Sequence, residues 1–373
     1  MRRRGSSPGP PLPEVTPRYA PDTLPPVRVD LFDYDLPAER IAQEARPRGT
    51  SRLLVLERQN GAMEHRRFEE LPELLRAGDL LVRNDVAVRP ARLYGRDTQG
   101  RLVEIFLLSA EDAGSRLWSA LAKPGRRAKA GARIAFDEGL SADVVDVRDD
   151  GGRSVRFDRP LDAALLGRIG RTPLPPYIRR EAGAPDRPED RAAYQTVFAR
   201  EPLAVAAPTA GLHFTEPILG ALRERGVEIV DLTLAVGAGT FKPVTVDDTD
   251  VHTLPPEEVW IPSNARAALA RAKSEGRRVA AVGTTVARSL EAAARLVDAP
   301  PDGDLRFATD LFITPGFEFQ TVDALLTNFH LPRSTLVMLV SAFAGRERVL
   351  RAYAEAVARD YLFYSFGDAM LIA

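Results

Sequence analysis

Apolar positions acquire a regular spacing only after the first few dozen residues. Residues 1–29 are rich in Pro, with Arg, Gly and Ser, and carry no apolar period, which predicts a disordered tail. From Leu31 the chain becomes regular. Ser51-Arg-Leu-Leu-Val-Leu-Glu57 predicts a strand, Asn60-Gly61 a hairpin turn, and a returning strand should run to about Phe68. From Asp79 to about Phe157 short apolar runs follow one another: Leu80–Val82, Ala91–Tyr94, Leu102–Leu108, Arg133–Phe136 and Val155–Phe157, separated by Gly- and Asp-rich turns. Short strands this close, without helices between them, predict a small barrel or sandwich.

Beyond about residue 160 the period alternates between strand and helix. Leu203–Ala207 is a short apolar run, and the helix after it has Thr215 as N-cap, Pro217 in its first turn and Gly226 at its stop. Val227–Val236 predicts a strand. Arg278–Val282 predicts another, feeding an Ala-rich helix from about Val286 to Val297. Ala324–Leu326 leads through a loop to Thr335–Ala344, a helix apolar nearly all round and so expected to be buried, with Gly345 at its end. This alternation predicts an α/β domain with a largely parallel sheet, built from 30–75 and 161–373, with the β module of 76–160 inserted into it.

Four loops stand out, each expected after an apolar strand: residues 208–213, 237–243, 283–285 and 328–334. In open parallel sheets ligands bind at the carboxyl ends of the strands, so these loops should share one edge. Gly211, Gly237, Gly239 and Gly283 allow close approach of backbone N–H groups to a ligand, with Thr209, Thr240 and Phe241 beside them. Thr284 and Thr285 sit where strand becomes helix, and Arg288 follows within a turn; a helix N-terminus there suits a carboxylate. The plainer alternative is a capping Thr and a solvated Arg.

His213 and His330 fall in these loops and are candidates for proton transfer, against the alternative of core histidines bonded to backbone. Asn328 and Ser334 flank His330 and either orient its ring or cap the buried helix. Asp85 and Asp368 are weaker acid or base candidates, and His65 and His252 read as structural or surface groups. Arg92 near Asn84-Asp85, the basic turn with Lys123, Arg126, Arg127 and Lys129, and Arg333 could meet RNA phosphates.

Composition narrows these readings. The formal net charge is −1, so any nucleic-acid contact must be confined to one face. There is no Cys, which excludes disulfides, thiolate metal sites and Cys nucleophiles. No HExxH or tight His/carboxylate cluster predicts a metal. No apolar run reaches the roughly 18 residues that span a bilayer. Arg2–Arg4 are followed by Pro and Ser rather than an apolar segment, so no secretory signal is expected and the cytoplasm is the predicted compartment.

The same segments carry a family resemblance. Asp33-Tyr-Asp-Leu-Pro37, Pro90-Ala-Arg-Leu93, Pro173-Leu-Pro-Pro-Tyr-Ile178, Ala206-Ala-Pro-Thr-Ala-Gly-Leu-His-Phe-Thr215, Gly237-Ala-Gly-Thr-Phe241, Val282-Gly-Thr-Thr285, Thr327-Asn-Phe-His-Leu-Pro332 and Gly367-Asp-Ala-Met-Leu-Ile372 resemble, in order, the S-adenosylmethionine:tRNA ribosyltransferase-isomerases of queuosine biosynthesis. The resemblance implies an α/β domain with an inserted β-barrel. It implies transfer and isomerisation of the ribosyl group of S-adenosylmethionine onto 7-aminomethyl-7-deazaguanine in tRNA, giving epoxyqueuosine and releasing adenine and methionine. S-Adenosylmethionine would be a ribosyl donor, with tRNA as partner, no metal, and a monomeric enzyme.

Five positions depart from the family pattern: Val86 where Thr is usual, Ala235 and Pro255 where His is usual, Val286 for Ser and Leu362 for Arg. They leave room for two rivals. One is a relative that uses the same donor on a different acceptor, such as a free 7-deazapurine. The other is a non-catalytic RNA-binding relative.

Overall fold

A computed structural model describes residues 27–235, 237, 246–249, 252–297, 299–300 and 302–373. Nearly all of the Pro-rich tail therefore lies outside the described residues. The first strands form the hairpin that alternation and Asn60-Gly61 predict: β1 (Arg52–Leu56) pairs antiparallel with β2 (Met63–Arg67). Gly61 takes φ +74, a conformation that costs Gly little.

The hairpin lies at one edge of a nine-stranded sheet. Its other strands are β3 (Leu80–Asn84), β10 (Glu228–Leu234), β11 (Glu257–Ile261), β12 (Val279–Val282), β13 (Leu305–Thr309), β14 (Ala324–Asn328) and β15 (Ala369–Ile372), in the order β13-β11-β10-β3-β12-β14-β15-β1-β2. The sheet is mixed rather than largely parallel. Only β10-β3-β12-β14 form a continuous parallel core; β11 and β13 add antiparallel on one side, and β15 runs antiparallel to β14 before pairing parallel with β1. Periodicity reveals strands but not their direction, which is why alternation with helices overstated the parallel content.

Alternate residues of each strand feed two cores, as the pleat requires. Leu54, Leu56, Leu80, Val82 and Leu325 pack with α5 (Ser263–Ser274), α6 (Thr284–Ala293), α7 (Thr335–Ala344) and α8 (Arg346–Ala358). Leu53, Leu81, Ala280, Val282, Leu326 and Leu371 face the other way, onto α1 (Leu71–Leu74) and α4 (Glu216–Glu224). Thr215 caps α4 by accepting from the Ile218 N–H, and Ser334 caps α7 by accepting from Val337.

The insertion is a closed six-stranded barrel, β4-β5-β6-β9-β8-β7, made of β4 (Arg92–Asp97), β5 (Leu102–Ala110), β6 (Leu117–Lys123), β7 (Arg133–Ala135), β8 (Ser141–Val147) and β9 (Arg153–Phe157). Its core includes Leu165, Leu166 and Ile169 of α2 (Ala163–Ile169). Residues 76–84, read from sequence as the start of this insertion, belong to the large sheet instead: β3 is fully buried between β10 and β12, so the barrel begins after Asn84. The run Leu203–Ala207 makes no strand of either sheet; it contributes one bridge, from Ala204 to Val88. A short helix, α3 (Pro188–Ala193), lies between α2 and α4 in the chain.

Candidate active site

Because β10, β3, β12 and β14 are parallel, Ala235 and Gly237, Asn84-Asp85, 283–285 and 328–330 lie along a common edge of the sheet. At the β12 and β14 end of that edge lies a cavity of roughly 740 Å³, mouth included. Thr209, Ala210, Gly283, Thr284, Thr285, Thr327, Asn328 and His330 line it, with Tyr177, Tyr364 and Ser365 from segments distant in sequence.

Each wall has a local cause. Gly283 adopts φ +94 and ψ 152, which only Gly holds cheaply, and this turn swings β12 into α6. The first residues of α6, Thr284 and Thr285, therefore face the cavity at the positive end of the helix. Arg288, one turn further on, faces an adjoining recess lined by Thr284, Thr285, Phe312 and Leu336, and is ion-paired with buried Glu257. Glu257 also accepts from the Gly237 N–H at 2.9 Å, so one carboxylate ties the start of the glycine loop to α6. Gly239, Thr240 and Phe241 lie outside the described residues.

His330 sits on the cavity wall. Its Nε2 is 2.8 Å from Thr327 Oγ1, its backbone N–H donates to the Tyr353 hydroxyl at 3.2 Å, and its carbonyl accepts from Tyr34. Burial pushes its pKa down to about 3, so the ring is neutral at pH 7. The Asn328 amide bonds instead to His213 and the Tyr364 carbonyl, and Ser334 is occupied as the α7 cap.

The remaining nominated residues lie elsewhere. His213 is not on the cavity wall. It lies on the floor of a second hollow, beside Arg46, Arg48, Ser51 and Phe366, and Ser365 belongs to both walls. Gly211 is buried beneath Phe198 and Thr196, where a Cβ would come within 2.9 Å of each. Asp85 is buried and accepts from the Thr233 hydroxyl at 2.6 Å; burial raises its pKa. Asp368 accepts from the backbone of Arg52 and Leu362, 2.8 Å each, and from Arg46 at 3.0 Å, which leaves it fastening the segment before β15; burial raises its pKa too.

Arg92 is in the barrel, paired with Glu104 at 3.3 Å and bonded to the Leu174 carbonyl at 2.9 Å. Lys123, Arg126 and Lys129 are exposed on the basic turn, while Arg127 donates to the Leu102 carbonyl at 2.8 Å. Arg333 is half-buried in the loop after β14, with φ +57. Among the described residues no group of three or more His, Asp or Glu could hold a metal.

Tyr177, Tyr364 and Ser365 were missed as site residues, because an aromatic in a loop reads as core packing. The available signals were their motifs, 173–178 and the stretch before Gly367.

A family profile described as Queuosine biosynthesis protein matches residues 29–372. The chain is 51% identical over 350 residues to the S-adenosylmethionine:tRNA ribosyltransferase-isomerase of Heliobacterium modesticaldum, covering 93% of this chain and 100% of that protein. It is 52% identical over 351 residues to the protein of that name from Xanthomonas oryzae pv. oryzae, covering 91% and 95%. The chain belongs to the S-adenosylmethionine:tRNA ribosyltransferase-isomerase family.

A crystal structure described as the S-adenosylmethionine tRNA ribosyltransferase of Thermotoga maritima is similar with a TM-score of 0.53 and 40% identity, over 92% of this chain and 100% of that one. The departures from the family pattern avoid the cavity. Val86 and Val286 are packed in the main core, Leu362 packs in the small cluster around Tyr194 and Phe366, and Pro255 is exposed. Ala235 is half-buried and donates its N–H to the Glu258 carbonyl. None of the five lines the cavity wall.

Proposed function

We propose that this chain transfers and isomerises the ribosyl moiety of S-adenosylmethionine onto 7-aminomethyl-7-deazaguanine in tRNA, giving epoxyqueuosine and releasing adenine and methionine. The observation that carries this reading is the single cavity at the β12 and β14 tips, which gathers Thr209, Thr284, Thr285, Asn328 and His330 in a chain of this family. It would take the donor. The α6 N-terminus, where Thr284 and Thr285 open the helix, suits the carboxylate of the methionine moiety, while Arg288 behind it is paired with Glu257. Tyr177 and Tyr364, with ring centroids 4.3 Å apart, suit a flat base. The exposed Lys123, Arg126 and Lys129 of the barrel would meet tRNA phosphates, and the enzyme works as a monomer in the cytoplasm, where tRNA is found.

The reaction needs a proton taken from carbon beside the sulfonium, which acidifies it, and a proton supplied as adenine leaves. His330 is the nominated residue on the cavity wall and would serve the first need, its ring being uncharged and able to accept a proton, although the burial that holds its pKa down also makes it a weak base. No departure from the family pattern lies on the wall of the cavity that would take the donor, which favours the family's donor. The test is mass spectrometry of tRNA bearing the aminomethyl-deazaguanine base after incubation with enzyme and S-adenosylmethionine. The added epoxycyclopentanediol is the expected product. Its absence, with free base modified instead, would reverse the choice of acceptor.

A further inference from the structure

The second candidate histidine, which lies behind the cavity wall, has a different geometry. His213 is 4% exposed, and both ring nitrogens are engaged: Nδ1 lies 2.7 Å from Ser51 Oγ, and Nε2 lies 3.1 Å from Asn328 Nδ2. The same Nδ2 donates to the Tyr364 carbonyl at 2.9 Å. A carbonyl can only accept, so this contact fixes which end of the Asn328 amide faces inward. His213 Nε2, facing an NH₂ group, must then be the unprotonated nitrogen. Its one proton sits on Nδ1 and points to Ser51, toward the second hollow and away from the donor cavity.

Protonating Nε2 would set donor against donor. The histidine is thus held in a single neutral tautomer, and burial, which pushes its pKa down to about 4, acts in the same direction.

Two polar atoms are left over at the cavity. Asn328 is 1% exposed and Tyr364 6%, both are on the cavity wall, and among the described residues neither Asn328 Oδ1 nor the Tyr364 hydroxyl has a hydrogen-bond partner. Buried polar atoms without partners are rare enough to need an explanation. The Tyr364 backbone adds to it. This residue sits at φ +72, which is strained for a bulky side chain. It is held there by its N–H donating to the Phe329 carbonyl, and by its carbonyl accepting from Gly367 N and Asn328 Nδ2. One amide therefore connects the histidine to the strained turn that presents the tyrosine.

We infer that Ser51, His213 and Asn328 form a buried positioning line that sets Asn328 Oδ1 and the Tyr364 hydroxyl to receive the N–H and O–H groups of the donor's adenosine half, with His213 a positioning residue and not a proton carrier. The inference rests on the reading of this cavity as the donor site. The Tyr177 and Tyr364 rings beside these atoms favour the nucleoside over the methionine portion.

Calorimetric titration of the full chain with S-adenosylmethionine and, separately, with adenosine tests it, together with steady-state turnover on tRNA. Tyr364→Phe removes an atom with no internal partner and leaves folding intact; it should weaken both ligands about 3- to 10-fold. His213→Ala should raise the donor KM by about tenfold or more, leaving the pH at which kcat falls unchanged. His213→Gln, whose amide oxygen can accept from Asn328, should restore most of the loss. Adenosine binding unaltered in Tyr364→Phe overturns the inference. So does a His213→Gln enzyme with normal donor KM but turnover reduced about a hundredfold, or one missing a limb of the pH profile. A wild-type chain that binds no donor overturns both the inference and the functional reading; normal wild-type turnover with unaltered variants overturns the inference alone.

Discussion

Glu291 offers the sharpest test of how the cavity is held in place. It is fully buried on α6, the helix whose other end forms the cavity wall. One carboxylate oxygen accepts from the Thr321 and Val322 N–H groups, and the other from Gln320 N–H and Arg295, all at 2.9 Å. These bonds clamp the segment that enters β14 and so position Asn328 and His330 at its far end. Glu291→Gln keeps the shape but replaces one acceptor oxygen with an NH₂ group. Whichever way the amide turns, two donors lose their acceptor and face another donor. Two bonds to a charged group, at about 1.5–3 kcal/mol each, give a loss of about 3–6 kcal/mol, consistent with the cost of breaking a buried ion pair. With an unfolding entropy of about 2.1 cal/mol/K per residue, the 373-residue chain should lose about 4–8 °C in Tm. Differential scanning calorimetry of both proteins at pH 7.5 measures it. A Tm within about 1 °C of wild type would show that the clamp contributes little and would refute the reasoning.

Three further outcomes follow from the same geometry. His213 and His330 have folded pKa values of about 4 and about 3, below the unfolded value of 6.5, so both contribute stability fully present above about pH 6.5 and lost as pH falls toward their folded values; urea midpoints should drop by several kcal/mol equivalent between pH 7 and pH 4, and by less in His213→Gln. Gly283→Ala meets only ordinary contacts, 3.6 Å to Thr285 Oγ1 and 3.7 Å to Ala210 Cβ, so the backbone alone should cost about 1–3 kcal/mol, read by chemical denaturation; an unchanged midpoint would mean the turn relaxes freely. Replacing Lys123, Arg126 and Lys129 together by Ala should weaken tRNA binding at low salt and flatten the log–log salt dependence by about 2–3, with donor KM unchanged; an identical slope removes this turn from the RNA interface.

The parts of the fold legible in the sequence are those fixed by neighbours. Alternation around Asn60-Gly61 shows β1 and β2, and Thr215, Pro217 and Gly226 delimit α4. Strands whose outward positions are polar and inward positions small escape notice. In β8, Ala142 and Val144 point inward while Asp143 and Asp146 look out, and β6 places Ser119 among its buried residues. The direction of β15 is set by partners at Leu53–Leu56 and Leu325–Asn328, far away in sequence, which no local window can register. For the site, strand-end logic brought Thr209, Gly283, Thr284, Thr285, Asn328 and His330 to one cavity. It could not tell that His213 faces the other way, because that depends on Ser51 and on which end of an amide points inward.

Strand β15 has a bearing on when this protein becomes competent during its synthesis. Among the described residues it is the one strand that joins the β1–β2 hairpin to the rest of the sheet, pairing with β1 on one side and β14 on the other. The segment just before it carries Tyr364 and Ser365 of the cavity wall. A nascent polypeptide that stalls before residue 364 has neither a joined sheet nor a closed binding cavity. Prematurely released fragments should therefore be unable to hold the donor, while the barrel with Lys123, Arg126 and Lys129 is already complete and could still occupy tRNA unproductively.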